Sequence, residues 1–191
     1  GGKYGVKEEQ SIAIELAKKT GRPVQIVLSR DECFLATECR MPVRTHVKDG
    51  YKKDGTLIAR EIDMKEDIGA YAMIGAMLVK NAAFGAVGTY NIPNFKLDSS
   101  GVYTNLPRAS VLRGVGTPEV TWAMEQQIEI AAEKLGLDPV EIRVKNMLKR
   151  GDVDVTGQLT KSTGAKECIE TVAKEIGLHG PVPKSAGPWK I

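Results

Sequence analysis

Cysteine, histidine and long apolar runs are all scarce in this chain of 191 residues. The three cysteines, Cys33, Cys39 and Cys168, include no Cys-x-x-Cys pair, which indicates a reducing compartment and argues against a disulfide framework. The two histidines, His46 and His179, are far apart, so the chain lacks the ligand spacing of a zinc site built from its own side chains. We therefore expect a cytoplasmic protein without such a metal site.

The charge and hydropathy patterns exclude two further classes of partner. Lys and Arg total 27 against 24 Asp and Glu, and the net charge of +3 forms no basic stripe, so we expect no nucleic acid. No apolar run approaches the roughly 20 residues of a membrane span. The first residues also lack the pattern of a secretory signal. The composition, 42% hydrophobic and 27% charged, is typical of one globular domain or two small ones.

Glycine is plentiful, and its main cluster precedes a helix. Residues 112–119, LRGVGTPE, place Arg113 and two glycines before Thr117, a candidate N-cap, and Pro118, which suits a first helical turn. The amphipathic run 120–135 follows. Such a loop directs backbone N–H groups, the helix dipole and a guanidinium at an anion or a polar cofactor. The alternative is an ordinary helix start after a glycine turn.

A second glycine stretch opens the chain. Residues 1–7, GGKYGVK, lead into an amphipathic segment, Glu8–Thr20, which Gly21 is placed to end. The alternative is a flexible end of a fragment. We expect the chain to be a piece of a longer protein, because it begins inside a glycine motif without a methionine.

The remaining patterns predict an α+β fold, a mixed sheet with packed helices. Runs of β-branched residues and alternating polarity predict strands over 23–29, 57–66 and 95–103 and extended segments at 44–47 and 50–51, with a hairpin turn at 53–56. Helical spacing predicts further helices over 30–36 (capped by Asp31), 77–85, 120–135, from Asp138 onward, and 165–176 (capped by Ser162 or Thr163, with Ile169, Val172 and Ile176 inward).

Several motifs then occur in one order and spacing. They are GGxxG-x-K-E, Arg-Pro-Val with Ser-Arg-Asp-Glu, Tyr-Asn-Ile-Pro-Asn, Thr-Asn with Arg-Gly-x-Gly-x-Pro-Glu, and Asp-Pro-x-Glu-x-Arg-x-Lys-Asn. Together they resemble the molybdenum-cofactor-binding large subunit of the xanthine dehydrogenase and aldehyde oxidase family, from Gly1 to about Leu148. The resemblance implies that residues 1–178 are a first molybdenum-binding subdomain and that 179–191 lead toward a missing second one.

The resemblance also implies a chemistry. The family binds a molybdenum-molybdopterin cofactor, in some members as the cytosine dinucleotide. It hydroxylates a carbon of a nitrogen heterocycle or an aldehyde with oxygen from water. The electrons leave through iron–sulfur clusters to FAD on partner domains or subunits, so we expect such partners here. The cofactor performs the redox chemistry, and the protein orients it and excludes competing reactions.

Residue roles follow from the same resemblance, position by position. Those that match cofactor contacts are Gly2, Tyr4, Gly5, Arg113 and Gly114, with Tyr4 and Arg113 near the molybdenum but not as direct ligands. Those that match substrate contacts are Glu8, Asn81 and Val115.

Departures from the family pattern indicate a substrate other than xanthine. Val115 stands where purine oxidisers have a stacking aromatic ring, and Asn81 stands where they have an arginine. Tyr4 replaces a phenylalanine and adds a hydroxyl group. We expect another heterocycle or an aldehyde. The family's catalytic base matches a position beyond Ile191, so we expect no catalytic residue in this chain and no turnover by these residues alone.

Two other functions remain compatible with the residues themselves. A free-standing module could hold an anion or a nucleotide with its two glycine loops. A structural scaffold could serve only to contact partner subunits. The neighbouring coding sequence and the molybdenum content of the full-length protein distinguish these hypotheses.

Overall fold

The computed structural model describes residues 7–178, along which nine helices and strands follow one another. In chain order they are α1 (Glu8–Thr20), α2 (Arg30–Ala36), β1 (Val43–Tyr51), β2 (Leu57–Gly69), α3 (Gly75–Gly85), β3 (Asn94–Tyr103), α4 (Thr117–Leu135), α5 (Pro139–Asn146) and α6 (Ala165–Glu175). This mixture of helices with a mixed sheet confirms the predicted fold class.

The three strands form one sheet in the order β1-β2-β3. β1 and β2 are antiparallel and meet at the predicted turn, where Gly55 has a φ of 82° that an Asp-Gly turn supplies at little cost. β2 and β3 are parallel, because α3 lies between them in the chain and carries it back to the starting end of the sheet.

The inner face of β2 forms the centre of the main core. Alternate residues Ile62, Met64 and Ile68 are at most 6% exposed, as the period of two in a half-buried strand requires. They pack against Leu78 and Ala82 of α3 and Val120 and Met124 of α4. This packing holds α3 and the start of α4 side by side over the sheet.

A buried ion pair shares that face. Arg60 donates from Nε and Nη2 to the two carboxylate oxygens of Asp49, at 2.7 and 2.6 Å, and the side chains are 0% and 1% exposed. The hydroxyl of Tyr51 donates to the same carboxylate at 3.1 Å. Two buried charged groups are tolerated only while they are paired with each other, so this ion pair ties β1 to β2.

A second apolar cluster joins the hairpin to α4 and α5. Its buried members include Leu57, Ile128 and Ile142. Asn146, the last residue of the Asp-Pro motif, accepts from the Leu57 amide at 2.8 Å and donates to the Gly55 carbonyl at 2.8 Å. This motif residue therefore has a structural role here. No helix within residues 7–178 is both long and apolar enough to cross a membrane.

Four local predictions outside the two glycine stretches are wrong. Residues 23–29 form no strand, because no strand in the described range lies beside them to complete the hydrogen bonds. Ser29, not Asp31, caps α2, with Glu32 completing a capping box. Gly164, not Ser162 or Thr163, is the N-cap residue of α6. Its Val172 and Ile176 are 57% and 67% exposed, not inward, because α6 buries only Ala173.

Candidate functional site

The loop before α4, residues 112–116, is held in an uncommon backbone conformation and is called the Arg113 loop below. Gly114, Val115 and Gly116 have φ values of 97°, 39° and 88°, three successive residues in the left-handed region. Glycine adopts this region freely, but for Val115 it costs about 1–3 kcal/mol. A non-glycine residue held there is a feature of functional sites, and the surrounding packing must enforce it.

Contact with α3 enforces the positive φ of Val115. A Cβ added at Gly116 would lie 2.9 Å from the Ala82 backbone nitrogen, and one at Gly85 would lie 3.1 Å from Thr117. The loop and the start of α4 therefore touch α3 backbone to backbone. This contact brings together the segments that carry Asn81, which precedes Ala82, and Val115, which precedes Gly116. Both side chains are half-buried.

The N-terminus of α4 lacks a side-chain cap. Gly116 is the N-cap residue and Thr117 is the first helical residue, so the prediction that Thr117 caps the helix is wrong. Glycine has no side chain with which to accept from the first-turn amides, and Pro118 removes one of those amides. Thr117 already donates its amide to the Gly114 carbonyl at 3.1 Å, so the other N–H groups of the first turn and the positive end of the dipole are available to an anion.

Arg113 adds a cation at this position. Its side chain is exposed and makes no hydrogen bond or ion pair with any residue in the range 7–178. A guanidinium is a planar donor of permanent charge that suits phosphate and carboxylate groups.

The other predicted substrate residue, Glu8, lies at the start of α1 and is already paired. Arg108 donates from both terminal nitrogens to its two carboxylate oxygens, with Nη2 to Oε2 at 2.6 Å. These hydrogen bonds lower the pKa of Glu8 to about 2, so the carboxylate is charged at neutral pH. Sequence reasoning missed Arg108, because no local pattern reports a pairing between residues 100 positions apart.

Two more charged side chains extend this pair into what we call the charged cluster: Lys7, Glu8, Glu38 and Arg108. Arg108 Nε donates to Glu38 at 3.1 Å, and Lys7 donates to the other Glu38 oxygen. Burial alone would raise the pKa of Glu38, but the hydrogen bond of Lys7, the nearby Ser110 hydroxyl and the charges of Lys7 and Arg108 leave it below its ordinary value. The cluster contains two cations and two anions and is electrically balanced.

An open cleft of about 210 Å³ runs beside the charged cluster. Ser110, 6% exposed, lies on its wall, and its buried hydroxyl lies next to the Glu38 carboxylate, whose pKa it helps to lower. The cleft extends toward the Arg113 loop, and the residues that line it are Lys7, Glu9, Thr37, Glu38, Arg108, Ser110, Val111 and Leu112.

Comparison with known proteins identifies the family of this chain. The sequence model of the molybdopterin cofactor-binding domain family matches residues 1–147, a range that includes both glycine stretches, α3 and the Arg113 loop. The chain belongs to this family.

Individual relatives agree with the family match. The chain is 38% identical over 171 residues to the xanthine dehydrogenase molybdenum-binding subunit of Escherichia coli O157:H7, covering 89% of this chain and 23% of that subunit. It is 37% identical to the nicotinate dehydrogenase large molybdopterin subunit of Eubacterium barkeri, covering 89% of this chain and 41% of that protein. The solved structure of the aldehyde oxidoreductase of Desulfovibrio gigas superposes with a TM-score of 0.80 at 36% identity, covering 91% of this chain and 19% of that one.

The described residues fit the ligand that names the family. Molybdopterin carries a phosphate and many hydrogen-bonding groups, which suit the uncapped α4 amides and the Arg113 guanidinium, which has no partner within residues 7–178. The other residues predicted to contact it, Gly2, Tyr4 and Gly5, lie outside the described residues.

Proposed function

We propose that residues 1–178 are the first molybdenum-binding subdomain of a molybdenum hydroxylase, with 179–191 a linker to a second subdomain. The chain spans less than half the length of the relatives reported above, so the rest of the cofactor's surroundings would come from further segments and from iron–sulfur and flavin partners. When bound, the cofactor, as molybdopterin or its cytosine dinucleotide, supplies the two-electron chemistry that hydroxylates a heterocycle or an aldehyde. We place this enzyme in the cytoplasm.

One observation supports the proposal above the others. A guanidinium without a partner in the described range, two obligatory glycines and an uncapped helix start occur together in residues 113–117, inside the segment that matches the family. Arg113 binds an anionic part of the cofactor near the molybdenum, and Gly114 allows its close approach. Tyr4, Gly2 and Gly5 contact the cofactor from the other glycine stretch.

The substrate side of the site favours a ligand other than a stacked, anionic purine. Val115 offers a small aliphatic surface and Asn81 a neutral amide, and the packing of the Arg113 loop on α3 brings their backbones near one another. Glu8 is held as an anion by Arg108, so it accepts a hydrogen bond from a substrate N–H and does not donate one. We propose a different nitrogen heterocycle or an aldehyde.

The test uses the full-length protein that contains this segment. Elemental analysis is expected to find molybdenum, and dye reduction across purines, pyridines and aldehydes is expected to identify a substrate that is not xanthine. Arg113→Ala is expected to lower molybdenum content about tenfold or more, because it removes a charge-assisted contact.

Arg150→Ala is the matched control, since Arg150 is also exposed but lies in the turn after α5. Its molybdenum content is expected to equal that of the unmodified protein. A full-length protein without molybdenum would support the free-standing anion-binding module instead. Normal loading in Arg113→Ala would show that the residue assignment is wrong.

A further inference from the structure

Arg40 connects the Arg113 loop to the first turn of α4. Its Nη2 donates to the Arg113 backbone carbonyl at 2.9 Å, and its Nη1 donates to Glu119 Oε1 at 2.7 Å. One acceptor is in the loop and the other is in the first turn of α4. A single planar guanidinium therefore fixes the distance between them.

Arg40 is itself anchored by the backbone. The residue before it, Cys39, donates its amide to the Arg108 carbonyl at 3.3 Å, and its carbonyl accepts from the Ser110 amide at 2.9 Å. The segment that carries Arg40 is thus bonded to the wall of the cleft. The guanidinium spans from this wall to the loop.

Glu119 depends on Arg40 for its charge balance. Its side chain is 12% exposed, and Arg40 is its cationic partner within the described residues. Its other oxygen, Oε2, is buried and has no partner among residues 7–178, and the same is true of Oε2 of Glu66 on β2. Burial raises the pKa of Glu66, and the nearby charge of Glu119 raises it further, whereas the hydrogen bond from Ser99 lowers it. Glu119 therefore binds Arg40 from a largely buried site that has a second carboxyl group, that of Glu66, nearby.

We propose that Arg40 is a positioning residue for the cofactor site: it sets the carbonyl of Arg113, and with it the direction of the Arg113 side chain and the α4 amides. The proposal rests on the proposed function for the identity of the ligand. Arginine is required because lysine has a single nitrogen, which cannot donate to two acceptors in the same fixed geometry.

The experiment compares Arg40→Lys with Arg143→Lys in the full-length protein. Arg143 is a matched control, because it also bonds two carboxylates and a carbonyl of α4, but farther along that helix, at Glu125 and Glu129. The first measurement is hydrogen–deuterium exchange over residues 112–120, where the Val115 and Thr117 amides bond to Leu112 and Gly114. The second is molybdenum content.

Arg40→Lys is expected to speed exchange in residues 112–120 by about tenfold or more and to lower molybdenum content, since it removes a charge-assisted hydrogen bond from the loop. Arg143→Lys is expected to leave both unchanged. Exchange that is unchanged in Arg40→Lys, or faster to the same degree throughout the protein, would overturn the proposal.

Should Arg40→Lys fail to fold, Glu119→Gln gives the same test, because it keeps the volume of the side chain while removing the charge that holds Arg40. It is expected to speed exchange over the same residues, and unchanged exchange would overturn the proposal. The exchange measurement does not require molybdenum. A full-length protein that lacks molybdenum contradicts the proposed function, whereas normal molybdenum with unchanged exchange contradicts only the role of Arg40.

Discussion

Residues 7–36 and residues 41–147 are held in place by different forces. α1 and α2 bury no residue, and side chains such as Ile12 and Phe34 are 53% and 74% exposed. The charged cluster ties the start of α1 to the wall of the cleft. By contrast, residues 41–147 enclose two apolar clusters and a fully buried ion pair. The position of Glu8 thus depends on electrostatics, whereas the positions of Asn81, Val115 and the Arg113 loop depend on packing.

The largest effect expected from this difference is at the buried ion pair. Asp49→Ala leaves the Arg60 guanidinium uncompensated in the core, which is expected to lower the free energy of unfolding by about 3–5 kcal/mol. The corresponding change in the first region, Lys18→Met, breaks a pair whose side chains are 69% and 61% exposed. That change is expected to have no measurable effect. Chemical denaturation of both variants measures the contrast, and equal losses would contradict it.

A smaller effect is expected at glycines of positive φ. Gly116→Ala and Gly21→Ala both place a Cβ at positive φ, which costs about 1–2 kcal/mol. At Gly116 the new atom also meets the Ala82 backbone at 2.9 Å, whereas at Gly21 nothing lies within 4 Å. Gly116→Ala is therefore expected to be more destabilising by about 1–3 kcal/mol. Thermal unfolding measures the difference, and similar losses would mean that the loop does not press on α3.

The smallest effect concerns pH and the attachment of α1. The hydrogen bonds from Arg108 lower the pKa of Glu8 from its ordinary value of 4.5 to about 2. A carboxyl group whose pKa is lower in the folded state stabilises that state above its unfolded pKa, and this contribution is lost as the pH falls through about 2.

Glu8→Gln is therefore expected to weaken the attachment of α1 at pH 6 and to have progressively less effect as the pH falls from 4.5 toward 2. Hydrogen exchange over residues 8–20 measures it. Glu9→Gln, at the neighbouring position, serves as the control and is expected to change little. An effect of Glu8→Gln that is as large near pH 2 as at pH 6 would show that the pair with Arg108 does not hold α1.

Local patterns predicted most of the secondary structure for a physical reason. Asp138 caps α5 by accepting from the Val140 and Glu141 amides, as its place before Pro139 predicts. The Asp-Gly turn and the bounds of α1 also agree with prediction. These features depend on residues within one turn of each other, so their causes are visible in the chain order itself.

Predictions that depend on a distant partner were less successful. The run at 23–29 has the residues of a strand, but a strand forms only beside another one. Val172 and Ile176 have helical spacing, but no apolar surface covers them in the described range. The roles assigned to Glu8, Asn81, Val115, Arg113 and Gly114 stay predictions, and those of Gly2, Tyr4 and Gly5 concern residues outside the described range.

The order of residues alone specified where α1 and α5 begin, where the hairpin turns, and that an arginine and two glycines precede α4, because those properties arise from neighbouring atoms. Only the folded chain determined that Arg108 pairs with Glu8, that Arg40 donates to both the Arg113 carbonyl and Glu119, and that Gly116 touches Ala82. These contacts join residues 34 to 100 positions apart. They exist because packing on β2 brings α3, α4 and the cleft wall together, which no short pattern records.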